Sequence, residues 1–145
     1  MLEKYKNILV EIDGSKQSFE ALKRALHIAK RDNAKLTAVV FLNTCQSLLR
    51  TVAIDVSHDL RKLANAQDDL KYCQSLAEKE NFSNMDSLVL EGRSKLKTLN
   101  NYIKENDIDL FFAGSQRLSI LSYLLRDSIP ARLADSTDCD VSIVK

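Results

Sequence analysis

Glycine is scarce in this chain: of 145 residues, only Gly14, Gly92 and Gly114 are glycine. That scarcity excludes the Gly-x-Gly-x-x-Gly dinucleotide fingerprint and the Walker phosphate loop. The Gly-x-Ser-x-Gly elbow of serine hydrolases is missing too. Histidine is scarcer still. His27 and His58 have no histidine partner one helical turn away and no carboxylates at ligand spacing, so no metal site is expected. Cys45, Cys73 and Cys139 are odd in number and far apart. Without a Cys-x-x-Cys pair they argue against a disulfide scaffold or a zinc site, and they point to a reducing, cytoplasmic setting. Neither sign of charge dominates, with 21 Lys and Arg against 20 Asp and Glu. A nucleic-acid or membrane surface would show a basic patch or stripe, so neither partner is expected. No apolar run approaches the roughly 18 residues of a membrane span. The opening MLEKYKNILVEID lacks the apolar core of a signal peptide. No linker, internal repeat or low-complexity tract divides the chain, and a single domain over residues 1–145 is expected.

What is present alternates between two periods. Lys6 to Asp13, KNILVEID, carries a nearly continuous β-branched run and suits a strand buried on both faces. Asp13-Gly14-Ser15 ends it, and the Ser15 hydroxyl can cap the next element. From there to Asp32, Phe19, Leu22, Ala25, Leu26 and Ala29 recur at helical spacing. Leu36 to Leu42, LTAVVFL, is a second buried strand. Residues 43 to 57 have no clear period and read as a loop. A helix is expected from Ser57 to about Glu80, with Leu60, Leu63, Ala64, Gln67, Leu70 and Ala77 on its face and Cys73 near it. Ser87 to Glu91 is a third strand, followed after Gly92-Arg93-Ser94 by a helix marked by Leu96, Leu99, Tyr102 and Ile103. Leu110 to Ala113 is a fourth strand. Ser128 can cap a further helix that places Pro130 in its first turn, where the missing N–H costs little. Val141 to Val144 is the last strand. Strands alternating with helices predict a doubly wound α/β sheet of parallel strands with helices on both faces.

In such a sheet, ligands sit outside the carboxyl ends of the strands. The fourth strand ends there in Gly114-Ser115 and runs into a segment without period that carries Arg117, Arg126 and Asp127. Asp13, at the end of the first strand, is the other polar residue placed where a ligand would sit. An equally good account makes it the residue that starts the following helix. No nucleophile with a base, and no metal set, appears at any strand end, so no catalytic residue is assigned.

Several segments together resemble the universal stress protein family. They are Asn7-Ile8-Leu9-Val10 through Asp13-Gly14-Ser15, Ser18 and Ala21-Leu22; Ala34-Lys35-Leu36-Thr37; Glu91-Gly92; Glu105 to Leu110 leading to Gly114-Ser115; and Ser128, Leu133, Cys139 and the last strand. The resemblance runs over essentially the whole chain in order. It implies a Rossmann-like sheet of five strands in the order 3-2-1-4-5, a homodimer and a role in stress tolerance without a defined reaction. One branch of the family binds ATP through a glycine-bearing phosphate loop. By resemblance Gly114 matches the first glycine of that loop, Arg117 stands at its second, Asp127 at its third, and Ser128 matches its hydroxyl. Asp13 and Phe41 occupy positions that surround the adenosine in that branch. If a nucleotide binds, the resemblance gives Asp13, Phe41, Gly114, Arg117 and Ser128 as its contacts. The two missing glycines imply the branch that holds no cofactor. The alternative is an ATP-binding member that works as a nucleotide-dependent switch.

The homodimer is expected through Val141-Ser142-Ile143-Val144, a short apolar strand at the sheet edge. Two other α/β classes fit less well. A receiver domain needs an Asp ending the third strand and a Lys ending the fifth, whereas here the third ends Leu90-Glu91-Gly92 and Lys145 is terminal. An ATP-pyrophosphatase needs a Ser-Gly-Gly-rich loop where Asp13-Gly14-Ser15-Lys16 stands.

Overall fold

A computed structural model describes residues 4–43, 53–115, 132–133 and 137–145. The elements are β1 (Asn7–Glu11), α1 (Lys16–Asp32), β2 (Lys35–Asn43), α2 (Ala53–Lys79), β3 (Met85–Gly92), α3 (Lys95–Glu105), β4 (Leu110–Gly114) and β5 (Asp140–Val144). All strands pair in parallel, in a five-stranded sheet of order β3-β2-β1-β4-β5. This is the expected Rossmann-like architecture. Of the helix expected after Ser128, residues 132 and 133 are described, and they are helical.

The first and third helices start where a side chain can accept an orphan N–H. Ser15 caps α1 by accepting from the Ser18 N–H at 3.1 Å. Ser94 caps α3 by accepting from the Lys97 N–H at 3.3 Å. Lys30 and Arg31 fall in the last turn of α1, where the helix dipole favours cations. Asn33 then ends α1 in the left-handed conformation at φ 56°, which asparagine tolerates better than most residues.

Two cores flank the sheet. Ile8, Val10 and Ile12 of the first strand and its exit point toward α1 and α2, where they meet Leu22, Ala25, Leu26, Ala66, Leu70 and Cys73. Leu9, Val39, Phe111 and Ala113 point the other way, against Leu99 and Ile103 of α3 and Leu133. Full burial of each large apolar side chain contributes about 1.5–3 kcal/mol, and the residues buried on both faces of β1 anchor the sheet.

α2 departs from expectation in two ways. It starts at Ala53 rather than Ser57. Its buried face is Ala66, Leu70, Cys73 and Ala77, while Leu60 is 62% exposed and Ala64 and Gln67 also face solvent. Small residues, Ala66 and Ala77, are among those on the buried face. Apolar residues that fitted the helical period lie off the contact.

At the amino end of the sheet, acidic side chains tie the strands together. Asp109, just before β4, accepts from the Lys6 and Asn7 N–H groups at 2.8 and 3.1 Å. Asp32 accepts from the Tyr5 N–H at 3.0 Å and from the Arg31 guanidinium at 2.7 and 3.0 Å. The Tyr5 hydroxyl donates to Asp140 at 2.7 Å.

Candidate ligand-binding site

The carboxyl end is built differently. From β1 the chain crosses through α1 to β2 on one side; from β3 it returns through α3 to β4 on the other. The strand order therefore reverses between β1 and β4, and a crevice outside that point is where such sheets take ligands.

Asp13 lies at this point, exposed, in the β1–α1 turn. The Ser15 N–H donates to its Oδ1 at 2.9 Å, and its own N–H donates to Ser18 Oγ at 3.4 Å. One carboxylate oxygen thus holds the turn. Gly14 follows at φ 80°, a conformation that costs an L-residue roughly 1–2 kcal/mol. A Cβ there would also stand 3.1 Å from an Asp69 carboxylate oxygen. Asp69 reaches the turn from α2, and its carboxyl is pushed up by burial first, then by Asp68 and Asp13.

Gly114 ends β4 against the first turn of α1. A Cβ there would stand 2.5 Å from the Ser18 nitrogen and 2.6 Å from the Gln17 carbonyl carbon. This glycine is required by the close approach of two backbones, whether or not a ligand binds. Phe41 is half-buried near the end of β2. Strand alternation puts it on the same sheet face as Val39, the face covered by α3. Asp13, Phe41 and Gly114 all lie at or near the carboxyl end. Arg117, Asp127 and Ser128 lie outside the described residues, as does Cys45.

Two residues that drew no notice in the sequence also belong here. Glu11 is the last residue of β1, between Val39 of β2 and Ala113 of β4. It is a carboxylate only 7% exposed. It forms an ion pair with Lys95, the first residue of α3. Burial pushes the Glu11 carboxyl up, Lys95 works against that shift, and Asp13 adds to it. The signal was available: one glutamate interrupts ILVEI at an inward-facing position.

Other features of the chain have plainer roles. Among the described residues no cluster of His, Cys, Asp and Glu could hold a metal. His27 is exposed on α1. It borders a hollow of about 650 Å³ between α1 and α2, toward the amino end, that is lined by charges of both signs including Lys30, Lys79 and Glu80. Cys73 and Cys139 are buried free thiols, pushed up to about 12 chiefly by burial, so neither offers a reactive thiolate. No described helix is long and apolar enough to cross a membrane.

The model of the universal stress protein family matches residues 4–145. The chain belongs to the universal stress protein family. A Staphylococcus haemolyticus protein bearing the family name is 26% identical over 141 residues, covering 97% of this chain and 85% of that one. A crystal structure of a universal stress protein in complex with cAMP superposes with a TM-score of 0.78 at 27% identity, over 99% of both chains. Universal stress protein UspA from Lactobacillus plantarum gives 0.77 at 23% identity, over 99% of this chain and 100% of that one. Family membership sets the receiver-domain alternative aside. The sheet order agrees, since receiver domains are ordered 2-1-3-4-5.

Proposed function

We propose that this universal stress protein is a non-catalytic, homodimeric stress-response regulator that does not hold ATP tightly. The observation that carries the reading is the charge at the crevice. Asp13 in the β1–α1 turn lies between two other acids, Glu11 on the α3 face of β1 and Asp69 of α2, and adds to the upward shift of both carboxyls, while Lys95 is the cation paired with Glu11. A triphosphate brought to that place meets like charge. The sequence after β4 adds to it, with Asp127 where the ATP-binding branch has glycine. A carboxylate about 4 Å from a phosphate charge is repelled by about 4 kcal/mol at an effective dielectric near 20, before salt screening. Gly114 does not count in favour of a nucleotide, because packing of α1 already demands it.

The dimer reading rests on β5, which lies at the sheet edge and leaves Ile143 43% exposed. An apolar edge strand is a template for pairing with another chain, and twofold pairing closes it. A second reading has one observation behind it. The similar structure bound to cAMP favours a cyclic mononucleotide, whose single phosphate charge meets far less repulsion than a triphosphate.

Calorimetry with ATP and with cAMP separates these. The expected result is ATP binding weaker than about 0.1 mM. Micromolar ATP affinity would overturn the main reading, and micromolar cAMP affinity with weak ATP would select the second. Sedimentation tests the dimer: a monomer at micromolar concentration, or a dimer indifferent to Val141→Lys with Ile143→Lys, would remove it.

A further inference from the structure

The Glu11–Lys95 pair has no evident role in holding the fold that a pair of apolar side chains would not fill as well. Burying an ion pair costs desolvation that the attraction between the charges often only offsets. This one sits on the α3 face of β1, at the reversal of strand order, where a ligand would enter.

Lys95 is placed as an anion-binding group. It is the first residue of α3, so its ammonium lies beside the positive end of the helix dipole. The first turn of α3 contains no acidic residue and also carries Lys97. Helix starts of this kind favour a negative charge. The charge present comes from outside the helix: Glu11, delivered by β1. The Lys95 side chain remains 34% exposed while that of Glu11 is 8% exposed. The cation is therefore open to solvent and its partner is fixed behind it.

We propose that Glu11 is a specificity-determining residue of the crevice: it is a built-in anion that occupies the cationic place formed by Lys95 at the start of α3, and so turns away phosphate-bearing ligands. The inference deepens the reading of weak ATP binding by naming the residue responsible on the described side of the crevice. Replacing the carboxylate by a neutral amide frees Lys95 to meet a phosphate and removes one repelling charge. Phe41, half-buried on the same sheet face, is apolar and indifferent to the exchange.

The test uses the full chain and two probes that share base and ribose, ATP and adenosine, in calorimetry at low salt. Glu11→Gln should strengthen ATP binding about tenfold or more, equivalent to about 1.4 kcal/mol, and leave adenosine binding unchanged. The double variant Glu11→Gln with Lys95→Gln should lose the gain. If Glu11→Gln does not fold, Glu11→Ala must give the same gain. Unchanged ATP binding would overturn the inference. So would an equal gain for ATP and adenosine, which would show that the substitution merely opened space, or a gain that survives loss of Lys95. The weak-ATP reading fails separately, on the unmodified chain: micromolar ATP affinity there refutes that reading, whereas the response to Glu11→Gln alone decides the role of the pair.

Discussion

At the amino end of the sheet, Asp32 accepts three hydrogen bonds, from the Tyr5 N–H and twice from Arg31. Those partners hold its carboxyl at about 2. At the carboxyl end, Glu11 is as deeply buried but is paired with a single lysine, and burial drives its carboxyl upward. Both are acids at the margin of one sheet, and their environments push them in opposite directions. Asp32 and Asp109 use charge to fasten chain segments. Glu11, Asp13 and Asp69 gather charge that repels itself. The carboxyl end is also where the strand order reverses between β1 and β4, the place where such sheets take ligands.

The largest effect at the carboxyl end should come from packing. Gly114→Ala would thrust a Cβ to 2.5 Å from the Ser18 nitrogen. Backbone cannot yield as a side chain would, so a loss of about 3 kcal/mol in denaturant unfolding is expected. A loss below about 0.5 kcal/mol would mean that α1 and β4 are not so tightly joined, and would return Gly114 to the ligand account alone.

Next is Lys95→Met, which leaves the buried Glu11 carboxylate without its cation. About 2 kcal/mol should be lost at pH 7, short of the 3–5 of fully buried pairs because Lys95 is partly solvated. This loss should shrink in acid. The folded-state pKa of Glu11 is raised, so its contribution is most favourable below the ordinary glutamate value and is lost as pH rises through the folded value. Unfolding curves at pH 4 and pH 7 check this, and a penalty independent of pH would contradict it.

Asp109→Ala should follow closely at the amino end, costing about 1–2 kcal/mol by stranding the Lys6 and Asn7 N–H groups. Here the loss should be accompanied by faster amide exchange at the start of β1. Unchanged exchange would mean that the fastening role assigned to this end is misplaced.

The sequence carries the architecture well and the charge contrast poorly. Hydrophobic period locates β1, α1, β2, α3 and β4 to within about two residues, and Ser15 marks the start of α1 through a local hydrogen bond. α2 failed where local signals were ambiguous: Leu60 and Ala64 fit a helical period yet face solvent, since contact with the sheet rather than spacing decides the buried face. Asp13 and Gly114 stand out in the sequence, but their competing structural uses, a turn hydrogen bond and a backbone contact, depend on α1 folding back over the strand ends. Glu11 and Lys95 are 84 residues apart. Only the return of the chain through α3 brings them together, and no local pattern announces it.

The two ends of the sheet treat the buried acids Asp32 and Glu11 oppositely, and site-resolved carboxyl titration by NMR tests this directly. Asp32 should titrate near 2 and Glu11 above its ordinary value of 4.5. By linkage, stability due to Asp32 is present above its ordinary value of 3.8 and fades as pH falls toward 2, whereas the cost of charging Glu11 grows as pH rises through its elevated value. A Glu11 carboxyl that titrates at or below 4.5 would contradict the account, because the carboxyl end would then be as well satisfied as the amino end.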